Sequence, residues 1–178
     1  MRCRLVGSEM CIRDRYCVLA SRFPKLNPLY KSFVKSRIEK YKIDIDEIDF
    51  DSFNYSLVKG NIKKDRNFFE YKLNGSNNYI VDINGIQMLI SVKAHLFIGE
   101  ISKIEPNQAT LLIKSVKKIA RRLGCIKVLF TLSRNHWLFN ILAPYKTPIK
   151  NFPIGFYLMN DTIDPKEIQF SNADYDTF

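Results

Sequence analysis

The sequence predicts an α/β domain with a mixed sheet, an antiparallel hairpin followed by a parallel strand–helix–strand crossover, flanked by helices. Three observations carry this. Within Lys93–Leu132 the chain reads HLFIGEI, SKIEPNQ, ATLLIKSVKKIARRLG and CIKVLFTL: apolar strand, loop, amphipathic helix, glycine stop, apolar strand. Such a unit packs back on its own sheet as a right-handed crossover. Upstream, NYIVDI-NG-IQMLISV sets Asn84-Gly85 between two apolar runs. That dipeptide accepts the two positive φ angles of a type I′ turn, so the segment predicts a hairpin. Finally, CIKVLFTL is almost wholly apolar, as befits a strand covered on both faces.

Each element has a local reason. In Leu29–Lys42, Tyr30, Phe33, Val34, Ile38 and Tyr41 recur at helical spacing. The next stretch, KIDIDEIDFDSF, alternates Asp44, Asp46, Glu47, Asp49 and Asp51 with Ile43, Ile45, Ile48 and Phe50. It reads as a strand with one acidic face or as a helix opening after Asp44. It is no calcium loop, lacking the glycine at the sixth position and the closing glutamate. Asp65–Leu73 predicts a short helix bearing Phe68, Phe69 and Tyr71, and the hairpin leads into a strand at about His95–Ile101. In the crossover helix, Ala109, Leu112, Ile113, Val116, Ile119, Ala120 and Leu123 make an apolar face, and Lys114, Lys117, Lys118, Arg121 and Arg122 make a basic one. Asn107 is placed to cap its start, and Gly124 suits the left-handed position after its end. Ser133–Leu142 predicts a short helix stopped before Pro144, Ile154–Asn160 a last strand, and Asp161–Phe178 a polar tail.

Composition narrows the classes. The chain has 178 residues, of which 46% are hydrophobic and 13% aromatic, enough for a packed core. No run of about eighteen apolar residues exists, so no helix spans a bilayer. Cys3, Cys11, Cys17 and Cys125 show no paired C-x-x-C spacing, and there are only 2 histidines, which argues against a zinc site. Cys125, opening an apolar strand, reads as a reduced core thiol. No signal-peptide pattern is present, so a cytoplasmic, reducing location is the default.

The first fifteen residues stand apart. MRCRLVGSEMCIRDR has neither amphipathic period nor turn logic, and SEMCIRDR resembles a translated sequencing-adapter read-through. Residues 1–15 are therefore read as a non-biological leader, the alternative being a short basic leader. Without them the formal charge falls from +10 to +8, still basic. The domain scheme is then 16–64 as a partial N-terminal region, 65–160 as an α/β core and 161–178 as a tail. On this reading the chain is a C-terminal piece of something longer.

The order of elements over Asn78–Asn160 resembles the C-terminal half of a GNAT-type acyltransferase domain. VLFTLSRNHWLFNILAPYKT is similar to the region of that fold where a parted strand pair admits the pantetheine arm. DRNFFEYKLNGSNNYIVDINGIQMLI and the terminal DYDTF resemble a divergent bacterial group of these proteins met beside surface-polysaccharide genes. The resemblance covers Asp65–Phe178. It implies transfer of an acyl group from acetyl-CoA or another acyl-CoA to an amine on a sugar or small metabolite. The departures are specific. The family's glycine-bearing pyrophosphate loop corresponds to SKIEPNQ, which has no glycine and in which Pro106 removes an N–H donor. The tyrosine that often serves as general acid would fall near Ile141 or Leu142. The alternative is therefore a non-catalytic, degenerate GNAT-like half acting as a structural or interaction module, with a working half upstream.

The resemblance places Glu100 near the acceptor amine, where a carboxylate could take an ammonium proton. The plainer reading is a cleft charge paired with a lysine. His136 falls in the same cleft region, or else is a helix-start residue. Ser133 and Asn135 could bond a pantetheine amide or cap the short helix. Asn107 and Gln108, with first-turn amides, are the remaining phosphate contacts. Tyr145 packs the end of the short helix, with proton donation as a remote role. Asp174 and Asp176 sit on a tail docked by Tyr175 and Phe178, and no metal ligand set is assigned. A third reading, a basic nucleic-acid-binding domain, rests on charge. The aromatics lie away from the Lys114–Arg122 face and no nucleic-acid motif is present, so nucleic acid is not the expected partner.

Overall fold

The computed structural model describes residues 13–19, 31–54, 62–75, 77–133, 136–145, 147–149, 169 and 171–174. Among these residues six strands form one sheet: β1 Arg13–Leu19, β2 Asn78–Ile83, β3 Ile86–Val92, β4 Leu96–Ile101, β5 Lys127–Ser133 and β6 Thr147–Ile149. Their spatial order is β2-β3-β4-β5-β1-β6. The β2–β3 and β3–β4 pairs are antiparallel and β4–β5 is parallel, so the sheet is mixed, as the sequence predicts. Asn84 and Gly85 take φ of 59° and 76°, the two positive angles that the β2–β3 turn requires. β1, antiparallel to β5 along its whole length, has no counterpart in the sequence reading, and the boundary at residue 15 falls inside it.

Helices cover both faces. α1 (Lys31–Ile38), α4 (Ala109–Arg122) and α5 (Trp137–Leu142) pack on one face. There Ile38, Leu112, Val116, Ile119, Leu138 and Leu142 meet Val81, Met88, Ile90, Ile98, Val128 and Phe130 in the larger core. α4 follows its sequence pattern, burying the apolar stripe and ending at Leu123, with Gly124 at φ 74°. Cys125 is buried at its foot, and burial pushes its thiol up to about 12, so it is inert at neutral pH.

The opposite face carries a smaller cluster of Ile48, Phe53, Phe69, Ile80, Leu89 and Ala173. It is roofed by α2 (Phe50–Phe53), α3 (Arg66–Leu73) and a 3-10 turn at Asn172–Asp174. Phe69 is the hub, with the rings of Phe50, Phe53 and Phe68 at 5.8, 5.0 and 5.5 Å. Neither reading of the acidic stretch 43–51 holds as a whole. The chain makes a 3-10 turn at Ile45–Glu47 and then α2. Glu47 accepts the Asp44 N–H at 2.9 Å and Asp49 accepts the Ser52 N–H at 3.3 Å. The acids thus work as local caps, the role that short polar side chains favour over strand interiors. The expected α1 helix is shorter than Leu29–Lys42, because Lys42 turns out to bridge Val81 on the edge of β2. The expected strand Ile154–Asn160 lies outside the described residues.

Candidate functional site

The site begins with an irregularity in β4. Opposite Leu89 stands Glu100, and opposite Ile90 stands Ile98, so Gly99 is an extra residue in the β4 side of the ladder. A strict two-residue alternation would put Glu100 on the α4 face with Leu96 and Ile98. The bulge at Gly99 turns it to the other face, beside Leu89. At the same level the parallel pair parts company. β4 and β5 are paired from Leu96–Val128 to Ile98–Phe130, yet β4 runs on to Ile101 and β5 to Ser133.

Three further charged or titratable side chains converge on Glu100. Lys64 Nζ lies 3.7 Å from Glu100 Oε2 and makes a closer ion pair with Asp174 Oδ1. His136 Nε2 lies 3.9 Å from Glu100 Oε1, too long for a direct hydrogen bond. The Lys64, Glu100, Asp174 and His136 side chains are 8, 3, 3 and 3% exposed, so this is an ionic cluster inside the protein and not a surface pair.

Each member is fixed from its own neighbourhood. Asn54, at the end of α2, accepts the Lys64 N–H at 2.8 Å and donates to the Lys64 carbonyl at 3.1 Å, clamping that backbone in place. The Lys64 ammonium also lies 4.7 Å from the centroid of the Phe68 ring, within cation–π range. Asp174 is held by its own turn, its Oδ2 accepting the Ser171 N–H at 2.7 Å and the Ser171 hydroxyl at 3.2 Å. His136 precedes α5 and acts as its cap, Nδ1 accepting the Leu138 N–H at 3.2 Å. With Nδ1 an acceptor, the neutral ring carries its proton on Nε2, the nitrogen that faces Glu100.

Burial sets the charge states. It drives the His136 imidazole down to about 4, Glu100 pulling the other way and Lys64 adding to the fall. His136 is therefore neutral at pH 7. Burial also lowers the Lys64 ammonium from its ordinary range, against the attraction of Glu100 and with the repulsion of Lys72. Glu100, Asp174 and His136 share the ligand chemistry of a metal centre, but the lysine stands between the two carboxylates. Among the described residues no group of three such side chains could hold a metal ion.

The other residues singled out by sequence are placed elsewhere. Ser133 ends β5, buried, its carbonyl accepting the His136 N–H at 3.0 Å, and Asn135 lies outside the described residues. Asn107 and Gln108 stand at the head of α4, the helix covering the face opposite Glu100. Asn107 is exposed and caps nothing there; Gln108 does the local work, accepting the Glu105 N–H at 2.9 Å. Tyr145 reaches back to the first turn of α4, its hydroxyl 2.7 Å from that of Thr110.

The loop from β4 to α4 shows what it can hold. The Ser102 N–H donates to the Gln87 carbonyl at 2.9 Å and the Lys103 N–H to the Ser52 carbonyl at 2.8 Å. The Gln108 N–H donates to the Glu105 carbonyl at 2.9 Å, the Glu105 N–H is taken by Gln108, and Pro106 has none. A diphosphate cradle needs several such amides turned outward together. In this loop the amides at 102, 103, 105 and 108 are thus engaged within the protein.

Sequence reasoning missed Lys64 and Asn54 and assigned Asp174 no part in the site. Lys64 has an identical neighbour, Lys63, whose side chain is 78% exposed, and no pattern in the sequence separates the two. No helix among the described residues is long and apolar enough to cross a membrane. Comparison of the chain with protein-family models, with curated proteins and with solved structures found no match to any of them.

Proposed function

We propose that this chain is a GNAT-like module that serves as a structural or interaction domain. The observation that supports the reading most is the loop Ser102–Gln108, whose amides at 102, 103, 105 and 108 are engaged within the protein. A second supports it. The Glu100 carboxylate is already neutralised by Lys64, and Asp174 holds that lysine in place. A base in this position would first have to shed its own cation, and breaking a buried ion pair by removing one partner costs about 3–5 kcal/mol.

A second reading, an acyl-CoA-dependent N-acyltransferase with an amine acceptor, has one observation in its favour. The Gly99 bulge turns Glu100 inward where β4 and β5 cease to pair, with neutral His136 beside it. In that reading Glu100 takes the proton of the acceptor's ammonium.

Calorimetric titration of acetyl-CoA into the full chain, paired with thermal shift, separates the two. The module reading expects no saturable heat and no rise in melting temperature. Saturable binding in the micromolar range would overturn it, and loss of acyl transfer in Glu100→Gln would then establish the second.

A further inference from the structure

The fold extends the basic face of α4 by bringing a second basic segment, α1 and the turn after it, against its end. α4 buries Leu112, Ile113, Val116, Ile119 and Ala120 and leaves Lys114, Lys118 and Arg121 exposed. The C-terminal end of α1 is brought against the C-terminal end of α4, where the Arg37 guanidinium donates to the Arg122 carbonyl. Tyr41, just past α1, lies in this junction with the Arg122 guanidinium 5.5 Å and Lys40 Nζ 4.8 Å from its ring centroid. The stretches 31–42 and 109–122 together hold ten lysines and arginines and one acid, Glu39.

Helix C-termini attract cations, which is the plainer account of such a cluster. Two C-termini supply only about half an electron charge each, far less than the positive charge gathered here. Arg122 Nη1 is itself buried, so on α4 the cations open to an external anion are Lys114, Lys118 and Arg121, which are exposed.

We propose that the joined ends of α1 and α4 bind the phosphate backbone of nucleic acid without reading its sequence. Charge complementarity selects the partner. Base stacking is not part of it, because Tyr41 is already covered by Lys40 and Arg122. An anionic bilayer fits less well. Among the described residues the exposed large hydrophobics are Ile62, Tyr71, Leu111 and Tyr145, and the one on α4, Leu111, lies about two turns from Lys118. The inference supplies a partner class for the interaction-module reading, but its observations are separate from the loop 102–108. Acetyl-CoA binding would overturn that reading and leave this one standing.

The test is fluorescence anisotropy of a labelled mixed-sequence duplex of about 20 base pairs, titrated with the full chain across a salt series. The expected result is saturable binding whose log affinity falls with log salt at a slope of about −3 to −4, as for about four phosphates neutralised. Lys118→Glu/Arg121→Glu, still folded by a cooperative thermal melt, should weaken it about tenfold or more. No binding at low salt, a flat salt dependence, or full binding by the variant would overturn the proposal. So would tighter binding to phosphatidylserine-containing vesicles than to the duplex.

Discussion

The two faces of the sheet are built on different principles. On the α4 side, strands and helices meet through a broad apolar core whose members recur every second residue in β3 and every third or fourth in α4. On the other side a smaller aromatic and aliphatic cluster adjoins four ionisable groups drawn from a loop, a bulged strand, a helix cap and a C-terminal turn. The first face is additive: each buried Leu or Ile contributes about 1.5–3 kcal/mol and its neighbours depend on it only through packing. The second is conditional. Desolvating Lys64, Glu100 and Asp174 is unfavourable for each alone and tolerable only together.

The comparison can be pressed at several points. The largest loss is expected at Phe69, in contact distance of three other rings, where Phe69→Ala should lower stability by about 3–5 kcal/mol. Leu112→Ala on the α4 face should fall in the range of about 2–5 kcal/mol. Urea unfolding at constant m-value reads both, and a much smaller loss at Phe69 would mean that the second face is not a core.

Acid should discriminate the faces next. The His136 imidazole sits at about 4 in the folded protein against an ordinary 6.5, so the unfolded chain takes up its proton first as pH falls. Stability from this group is therefore complete above pH 6.5 and is lost as the pH drops through that window, by about 3 kcal/mol at pH 4. His136→Asn, which keeps a capping side chain for α5, should flatten this slope. An unchanged slope would show that His136 is not held neutral. Smaller again is Gly124→Ala, at a left-handed φ of 74°, expected to cost about 1 kcal/mol in the same urea assay. Smallest is Lys118→Glu/Arg121→Glu on the exposed side of α4, expected to cost less than about 1 kcal/mol, the loss coming from acids placed at the negative end of the helix.

What could be read from the sequence follows the same division. The β2–β3 hairpin, the α4 stripe and the Gly124 stop rest on neighbours within a few residues, and local chemistry fixes them. The ionic cluster is not local. Lys64 and Asp174 are 110 residues apart, and nothing in KK or NAD marks which member will be buried. The bulge is equally silent. LFIGEI read with a period of two puts Glu100 on the α4 face, and only the extra residue at Gly99 reverses it. At the head of α4, Asn107 has the better capping propensity, yet Gln108 makes the hydrogen bond, because Pro106 starts a 3-10 turn ahead of the helix. The aromatic missing from the basic face is Tyr41, contributed by the turn after α1 from almost seventy residues before α4 begins.

A double-mutant cycle across Lys64 and Asp174 tests most directly whether the second face is held by its ionic cluster. Lys64→Met should cost about 3–5 kcal/mol, because it strands two buried carboxylates, and Asp174→Leu should also be severe. The double variant should lose less than the sum of the singles, with a coupling of about 1–3 kcal/mol in urea unfolding. Singles that add to within about 0.5 kcal/mol would contradict the account, since the pair would then be a juxtaposition without energetic coupling.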